Sequence, residues 1–166
     1  MSIQDRSAAF AIACAACGHP ATASAPTVGP EWEPLRALVG TWEGRDEAMK
    51  SSGRFTLAPD LDGKVLVRRN TNDTPRGKHE DLMVISRGPA GLRADYWDNE
   101  GHVIAYAITS EGSRVKFVSD AVPNAPRFEL TYDVHGPDEL AIDFAIAPPG
   151  GTLQHYTGGV VHRVTR

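Results

Sequence analysis

Side chains able to do chemistry concentrate in two stretches of the sequence. In the first, residues 78–81, His79 is followed by two acidic residues, and imidazole beside carboxylate can bind a metal ion or transfer protons. The same run is also typical of an ordinary solvated entrance to a strand. In the second stretch, Tyr96, Asp98 and His102 lie within seven residues. Together with an inward arginine, they could serve a cavity enzyme that isomerises or hydrolyses its substrate.

Arg68 and Arg69 form an arginine pair in a predicted strand. Because successive side chains of a strand point to opposite faces, one of the two must point inward. The valines two and four positions before Arg69 share its parity, so the pattern predicts Arg69 as the inward charge. A buried guanidinium needs a partner, which would be the acidic group of a ligand or a structural ion pair with Asp81 or Asp95.

Several classes of function find no support in the sequence. It contains no His-Glu-x-x-His helix, no Gly-x-Ser-x-Gly elbow and no phosphate-binding loop. The 17 basic and 21 acidic residues give a formal charge of -4 without a basic cluster, which argues against nucleic-acid binding. Both cysteines, Cys14 and Cys17, precede the predicted fold, so a cysteine-based enzyme is excluded.

The first 30 residues predict an export signal with a flexible tether, and residues 31–166 predict a single domain. Residues 15–18 resemble a bacterial lipobox, which would place a lipid on Cys17 and anchor a periplasmic protein to a membrane. Residues 21–25 instead fit a site for ordinary signal peptidase, which would release a soluble protein. If the leader is not a signal, the protein is cytoplasmic. The remaining chain has no apolar run of the roughly 18 residues that a spanning helix needs.

From residue 40 onward the chain alternates between short strand-like segments and turn residues. One or two helical turns are expected over residues 32–38. Most connections are short enough for hairpins, so we expect an all-β, up-and-down antiparallel barrel, with a β-sandwich as the alternative. The ten predicted strands are 40–49, 54–59, 64–70, 80–87, 91–97, 102–109, 114–119, 127–134, 139–147 and 153–164.

Later strands separate an apolar face from a polar one with a period of two, which indicates an inside and an outside. The interior of a barrel of this size is wider than side chains usually fill, so its apolar face is expected to bind a ligand. Besides Arg69, the predicted lining is Tyr96, Ile104, Tyr106, Phe128, Leu130, Tyr132, Leu140, Ile142 and Phe144.

Gly40-Thr41-Trp42 in the first strand, with Arg163 in the last, resembles the calycin group of lipocalins, fatty-acid-binding proteins and nitrobindin-like haem barrels. Residues 53–67 and 96–102 are more specifically similar to bacterial lipocalin-like proteins of unknown function. The resemblance implies that Trp42 plugs one end of the barrel, with Arg163 packed over its ring. It also implies a small-molecule ligand, whose carboxylate head an inward arginine beside tyrosines would hold.

The same resemblance points to His155 as a haem ligand, because nitrobindin-like barrels place their axial histidine near this position. His155 and Arg163 are eight residues apart and share a face of a regular strand. A bulge at Gly158 and Gly159 would reverse that parity.

We therefore expect an exported barrel that binds a small, largely apolar molecule, with an acidic head group as an option and no enzymatic activity. It needs no cofactor and no nucleic-acid partner, and it meets a membrane only through a lipid on Cys17. The alternatives are a haem barrel with His155 as axial ligand and a cavity enzyme with Arg69, Tyr96, Asp98 and His102.

Overall fold

A computed structural model describes residues 28–165. Ten antiparallel strands form one closed barrel, preceded by two short 3-10 helices at Pro30–Trp32 and Leu35–Leu38. The strands are β1 (Gly40–Asp46), β2 (Ser51–Asp60), β3 (Val65–Thr74), β4 (Gly77–Gly88), β5 (Gly91–Asp98), β6 (Val103–Glu111), β7 (Arg114–Ser119), β8 (Arg127–Val134), β9 (Glu139–Ala147) and β10 (Gln154–Arg163).

Each strand pairs with its neighbours in sequence, and β10 closes the ring by pairing with β1. The predicted all-β, up-and-down barrel of ten strands is thus confirmed, and the sandwich alternative is wrong. Sequential antiparallel pairing follows from the short turns, which leave no room for crossovers.

The barrel has two different ends. The lower end carries the two 3-10 helices, which precede β1, and the β2–β3, β4–β5, β6–β7 and β8–β9 turns. The upper end carries the remaining connections, including the β5–β6 turn at residues 99–102 and the β7–β8 loop. Within residues 28–165, no helix is long and apolar enough to cross a membrane.

Side chains fill the lower half of the interior. Leu35 and Leu38 of the second 3-10 helix are buried there, as are inward residues of every strand, because helix and strands each have an apolar face to remove from water. Among the residues predicted to line a ligand cavity, Tyr106, Leu130, Tyr132 and Leu140 belong to this packed core.

Trp42 lies at the lower end and is 0% exposed. Its indole Nε1 donates a hydrogen bond to the Leu38 carbonyl at 2.9 Å. The Arg163 guanidinium lies 4.1 Å from the centre of the Trp42 ring and donates to the carbonyls of Val39 at 2.7 Å and Ala37 at 2.8 Å. Arg163 therefore connects the end of β10 to Trp42 by a cation–π contact, and to the chain just before β1 by two charged hydrogen bonds.

The lipid predicted on Cys17 and the signal-peptidase sites predicted at residues 21–25 lie outside the described residues.

Candidate functional site

In the upper half of the interior the inward side chains are only partly buried, and we call this region the upper cup. It is bounded by an aromatic wall, formed by Phe128, Phe144 and Tyr156 on β8 to β10, and by a polar wall, formed by His79, Asp81, Tyr96 and Asp98 on β4 and β5. In the ten-strand ring β9 and β4 are five places apart, so the two walls face each other.

On β10 one inward position of the upper cup carries no side chain. Gly159 pairs with Ile142 and lies two residues before the buried Val161, so it occupies an inward position. A Cβ added at Gly159 would meet no atom within 4 Å. Ile142, the partner of Gly159 on β9, and Ile104 on β6 pack on the core but remain partly exposed. A ligand could therefore reach apolar surface here without displacing a side chain.

Three rings form the aromatic wall. Phe128 and Phe144 stack with their centres 6.1 Å apart and their planes 3° apart. The edge-to-face contact between Phe144 and Tyr156, at 6.2 Å, extends this pair toward the rim, where Tyr156 is 67% exposed. Aromatic surface that is ordered yet accessible is a common feature of ligand pockets.

A buried ion pair between Arg68 and Asp81 lies at the lower edge of the polar wall. Arg68 is 8% exposed, and its Nη1 donates to the Asp81 carboxylate at 2.5 Å. Asn70 donates to the other carboxylate oxygen at 2.8 Å, and the Arg68 guanidinium lies 5.4 Å from the centre of the Phe55 ring. Two polar atoms beside this pair, Arg68 Nε and the Tyr132 hydroxyl, are buried without a well-formed hydrogen bond among the described residues.

Above the ion pair, His79 joins β4 to β5. Its Nε2 lies 3.2 Å from the Tyr96 hydroxyl and 3.6 Å from an Asp81 oxygen, and its Nδ1 lies 3.4 Å from Glu100. The Tyr96 hydroxyl donates to Asp98 at 3.1 Å. The polar wall is therefore one connected network rather than separate pairs.

Asp98 is the most constrained carboxylate of the network, with its side chain 4% exposed. One oxygen accepts hydrogen bonds from the backbone N–H groups of Glu100 and His102, and the other is 2.8 Å from His102 Nδ1. Burial by itself would raise the pKa of Asp98, but the hydrogen bonds from the His102 backbone and ring outweigh it, so the pKa lies below its usual value. Asp98 thus stays ionised and orients the His102 ring.

Three tyrosines surround the buried guanidinium. Burial raises the pKa of Tyr96, Tyr106 and Tyr132, and the nearby Asp81 carboxylate raises it further. These phenols therefore stay protonated at neutral pH and can donate hydrogen bonds.

The prediction that Arg69 points inward is wrong. Arg69 is exposed and pairs on the outer face with Thr56 and Leu82, whereas Arg68 points inward. The error has a physical cause. On β3 the inner face carries Leu66, Arg68 and Asn70, and the valines lie outside, so the rule that the apolar face points inward selects the wrong side.

The inward orientation predicted for His155 is also wrong. The pairing of β10 with β9 shifts between His155 and Thr157, so Tyr156 is an extra residue that reverses the parity above it. His155 lies on the outer face, where its Nδ1 is 2.5 Å from an Asp143 carboxylate oxygen. An outward imidazole held by a carboxylate does not fit an axial ligand for haem inside the barrel.

Of the residues proposed for a cavity enzyme, the structure brings together Tyr96, Asp98 and His102 and leaves Arg69 outside. Among the predicted lining residues, Tyr96, Ile104, Phe128, Ile142 and Phe144 border the upper cup and remain partly exposed. Sequence reasoning missed Arg68, Asn70, Glu100, Tyr156 and Gly159 as parts of this region. The available signal was the alternation of Arg68 with Asn70, two polar residues on one face of a strand.

No protein-family model matches the chain, and no curated protein matches it. Among solved structures, the crystal structure of Rv2717c from M. tuberculosis matches with a TM-score of 0.57 and 15% sequence identity. The match covers 83% of this chain and 99% of that one. At this identity the likeness shows a shared barrel fold and nothing about the ligand.

Proposed function

We propose that the protein binds a small, largely apolar molecule in the upper cup, with the apolar part against the aromatic wall and a hydrogen-bonding group against the polar wall. The observation that carries this proposal is the pair of stacked, partly exposed rings, Phe128 and Phe144, on the side of the barrel opposite a connected polar network. Because the lower interior is filled by side chains, the ligand is confined to the upper end.

The main argument for an acidic head group on the ligand no longer holds. It depended on an inward Arg69, and the arginine that does point inward is already neutralised by Asp81. The groups left to meet a ligand head are the Tyr96 hydroxyl and the His79 ring, which exchange hydrogen bonds with neutral polar atoms as readily as with charged ones. This proposal also includes a calycin relationship, which the Trp42–Arg163 pair supports. It includes export as well, which the N-terminal sequence supports.

Nile red, a neutral apolar dye, tests the proposal through its fluorescence on titration with the protein. Gly159→Leu should reduce dye affinity at least tenfold, because the new side chain occupies the cup. Val160→Leu is the matched control, since Val160 is on the same strand and its side chain points out of the barrel. Phe144→Ala should weaken binding roughly eightfold, which corresponds to about 50 Å² of lost apolar contact at about 25 cal/mol per Å². Equal affinity in Gly159→Leu and Val160→Leu would contradict binding in the cup.

A second candidate is general acid–base catalysis at the rim, which the contact between Asp98 and His102 favours. A carboxylate on Nδ1 orients the imidazole so that Nε2 serves as the base. A panel of apolar aryl esters tests this: hydrolysis by the wild type that His102→Gln abolishes, with Nile red binding unchanged, would support it. Absence of turnover in the wild type would leave the binding function alone.

A further inference from the structure

We infer that the rim of the upper cup is a binding site for a divalent transition-metal ion of the zinc class, with His79, Asp98 and Glu100 as ligands. This site does not need the proposed apolar ligand, because it lies in the β5–β6 turn and the start of β4 rather than against the aromatic wall, although it shares His79 and Asp98 with the polar wall. One ligand atom from each of the three residues lies within 4.8 Å of the other two.

The separation of the closest pair of ligand atoms suits a metal with short bonds. In a tetrahedral site with bonds of about 2.1 Å, ligand atoms are about 3.4 Å apart. His79 Nδ1 and Glu100 Oε1 are 3.4 Å apart. His102 lies beside them, with Nδ1 hydrogen-bonded to Asp98 at 2.8 Å and 3.9 Å from Glu100, and is not counted among the three ligands. Side-chain exposures of 57% for His102 and 61% for Glu100 give an ion a direct path from solvent.

The groups around the ligands resemble the outer shell of a metal site. A metal-binding histidine commonly donates the N–H of its other nitrogen to a carboxylate or similar acceptor. His79 has this arrangement, because Nδ1 faces Glu100 while Nε2 faces the buried Asp81 at 3.6 Å and the Tyr96 hydroxyl at 3.2 Å. Asp98 is likewise fixed by two backbone N–H groups.

Charge and ligand type select the ion. With neutral histidines, Asp98 and Glu100 contribute two negative charges, which a divalent cation balances. Arg68, the buried cation nearby, is already paired with Asp81. Mixed imidazole and carboxylate ligands favour zinc, nickel or copper over magnesium, which prefers oxygen ligands and retains its water.

Isothermal titration of Zn²⁺ into the full chain tests the inference, with Cys14→Ser and Cys17→Ser in every protein to remove thiol ligands. We expect one tight site per chain. His79→Ala and Glu100→Gln should each lower the affinity by at least the 10- to 100-fold that loss of an outer-shell partner costs. Glu100→Gln changes an exposed turn residue at constant shape, so it tests the site even if His79→Ala folds poorly.

His135→Ala is the matched control. His135 Nδ1 lies 3.2 Å from Glu139 at the lower end, and the neighbouring Asp133 is neutralised by Arg114, so this cluster should not hold zinc. Three results would overturn the inference: no stoichiometric Zn²⁺ binding by the wild type, equal affinities for Mg²⁺ and Zn²⁺, or a loss of affinity in His135→Ala as large as that in His79→Ala.

Discussion

Replacing Asp81 by asparagine should be among the most destabilising single changes in the barrel. The substitution keeps the shape of the side chain but removes the negative charge that faces Arg68. Asp81 is 4% and Arg68 10% exposed at the side chain, so solvent cannot compensate the guanidinium. Leaving one partner of a buried ion pair uncompensated costs about 3 to 5 kcal/mol. That is a large part of the roughly 5 to 15 kcal/mol by which domains are stable.

Asp120→Asn is the matched control. Asp120 accepts two hydrogen bonds from Arg93, but the two side chains are 49% and 37% exposed. Exposed pairs of this kind contribute little to stability, because water and salt screen them. Urea unfolding followed by circular dichroism measures both free energies of unfolding. In thermal unfolding, Asp81→Asn should lower Tm by about 6 to 20 °C, at about 2 to 4 °C per kcal/mol, and Asp120→Asn by at most about 4 °C.

A double variant separates the cost of an unpaired charge from the value of the pair. Arg68→Met combined with Asp81→Leu removes both charges at similar volume and should recover most of the lost stability, as such replacements often do. If Asp81→Asn lowers stability no more than Asp120→Asn does, the Arg68 guanidinium is not buried as described. The description of a buried ion pair below the upper cup would then be wrong.

Two further predictions concern the tyrosines and the plug. In a spectrophotometric titration, three of the four tyrosines, Tyr96, Tyr106 and Tyr132, should ionise only when the protein unfolds, because burial raises their pKa values. The unfolded chain releases these phenol protons near pH 10, whereas the folded chain keeps them. The free energy of unfolding should therefore fall above about pH 10, by up to about 1.4 kcal/mol per pH unit for each of the three tyrosines. Ionisation of all four tyrosines with an unchanged circular dichroism spectrum would refute this. Arg163→Ala should lower the free energy of unfolding in urea by about 2 to 4 kcal/mol. Arg163→Lys should recover less than half of that loss, because lysine cannot reproduce the planar contact with Trp42. Full recovery by lysine would show that only the charge matters.

The strands were predictable because local signals mark their ends. The bounds predicted for β7, β8 and β9 agree with the structure, since glycine, proline and Asp/Asn residues lie in the turns on each side. The predicted β1 ran to Met49, three residues past its actual end at Asp46. Residues 47–50 form the turn to β2, and no glycine or proline marks it.

Side-chain orientation was less predictable, and both errors arose where the apolar pattern conflicts with long-range packing. On β3 the inward guanidinium pairs with Asp81, one of the two carboxylates that the sequence offered, but the apolar pattern of the strand assigned the inward position to Arg69 instead of Arg68. On β10 the extra residue is Tyr156, whereas the sequence suggested the two glycines at 158 and 159 as the place for a bulge. Parity is a reliable guide only while the register is regular.

The polar network combines one group that sequence proximity reveals with others that it does not. Asp98 and His102 lie four residues apart around a turn, so their contact is local. His79, by contrast, reaches Tyr96 and Glu100 only because β4 and β5 pair in this register. The sequence pointed to residues 78–81 and to residues 96–102 separately, but it did not indicate that the two stretches are in contact.

Methyl NMR of isoleucine tests the central claim, binding in the upper cup, most directly. Ile104 and Ile142 border the cup, while Ile85 and Ile108 lie in the filled lower interior. Addition of Nile red should shift the Ile104 and Ile142 methyl signals and leave those of Ile85 and Ile108 in place. Shifts confined to Ile85 and Ile108, or no shift at any of the four while the dye is bound, would contradict the account.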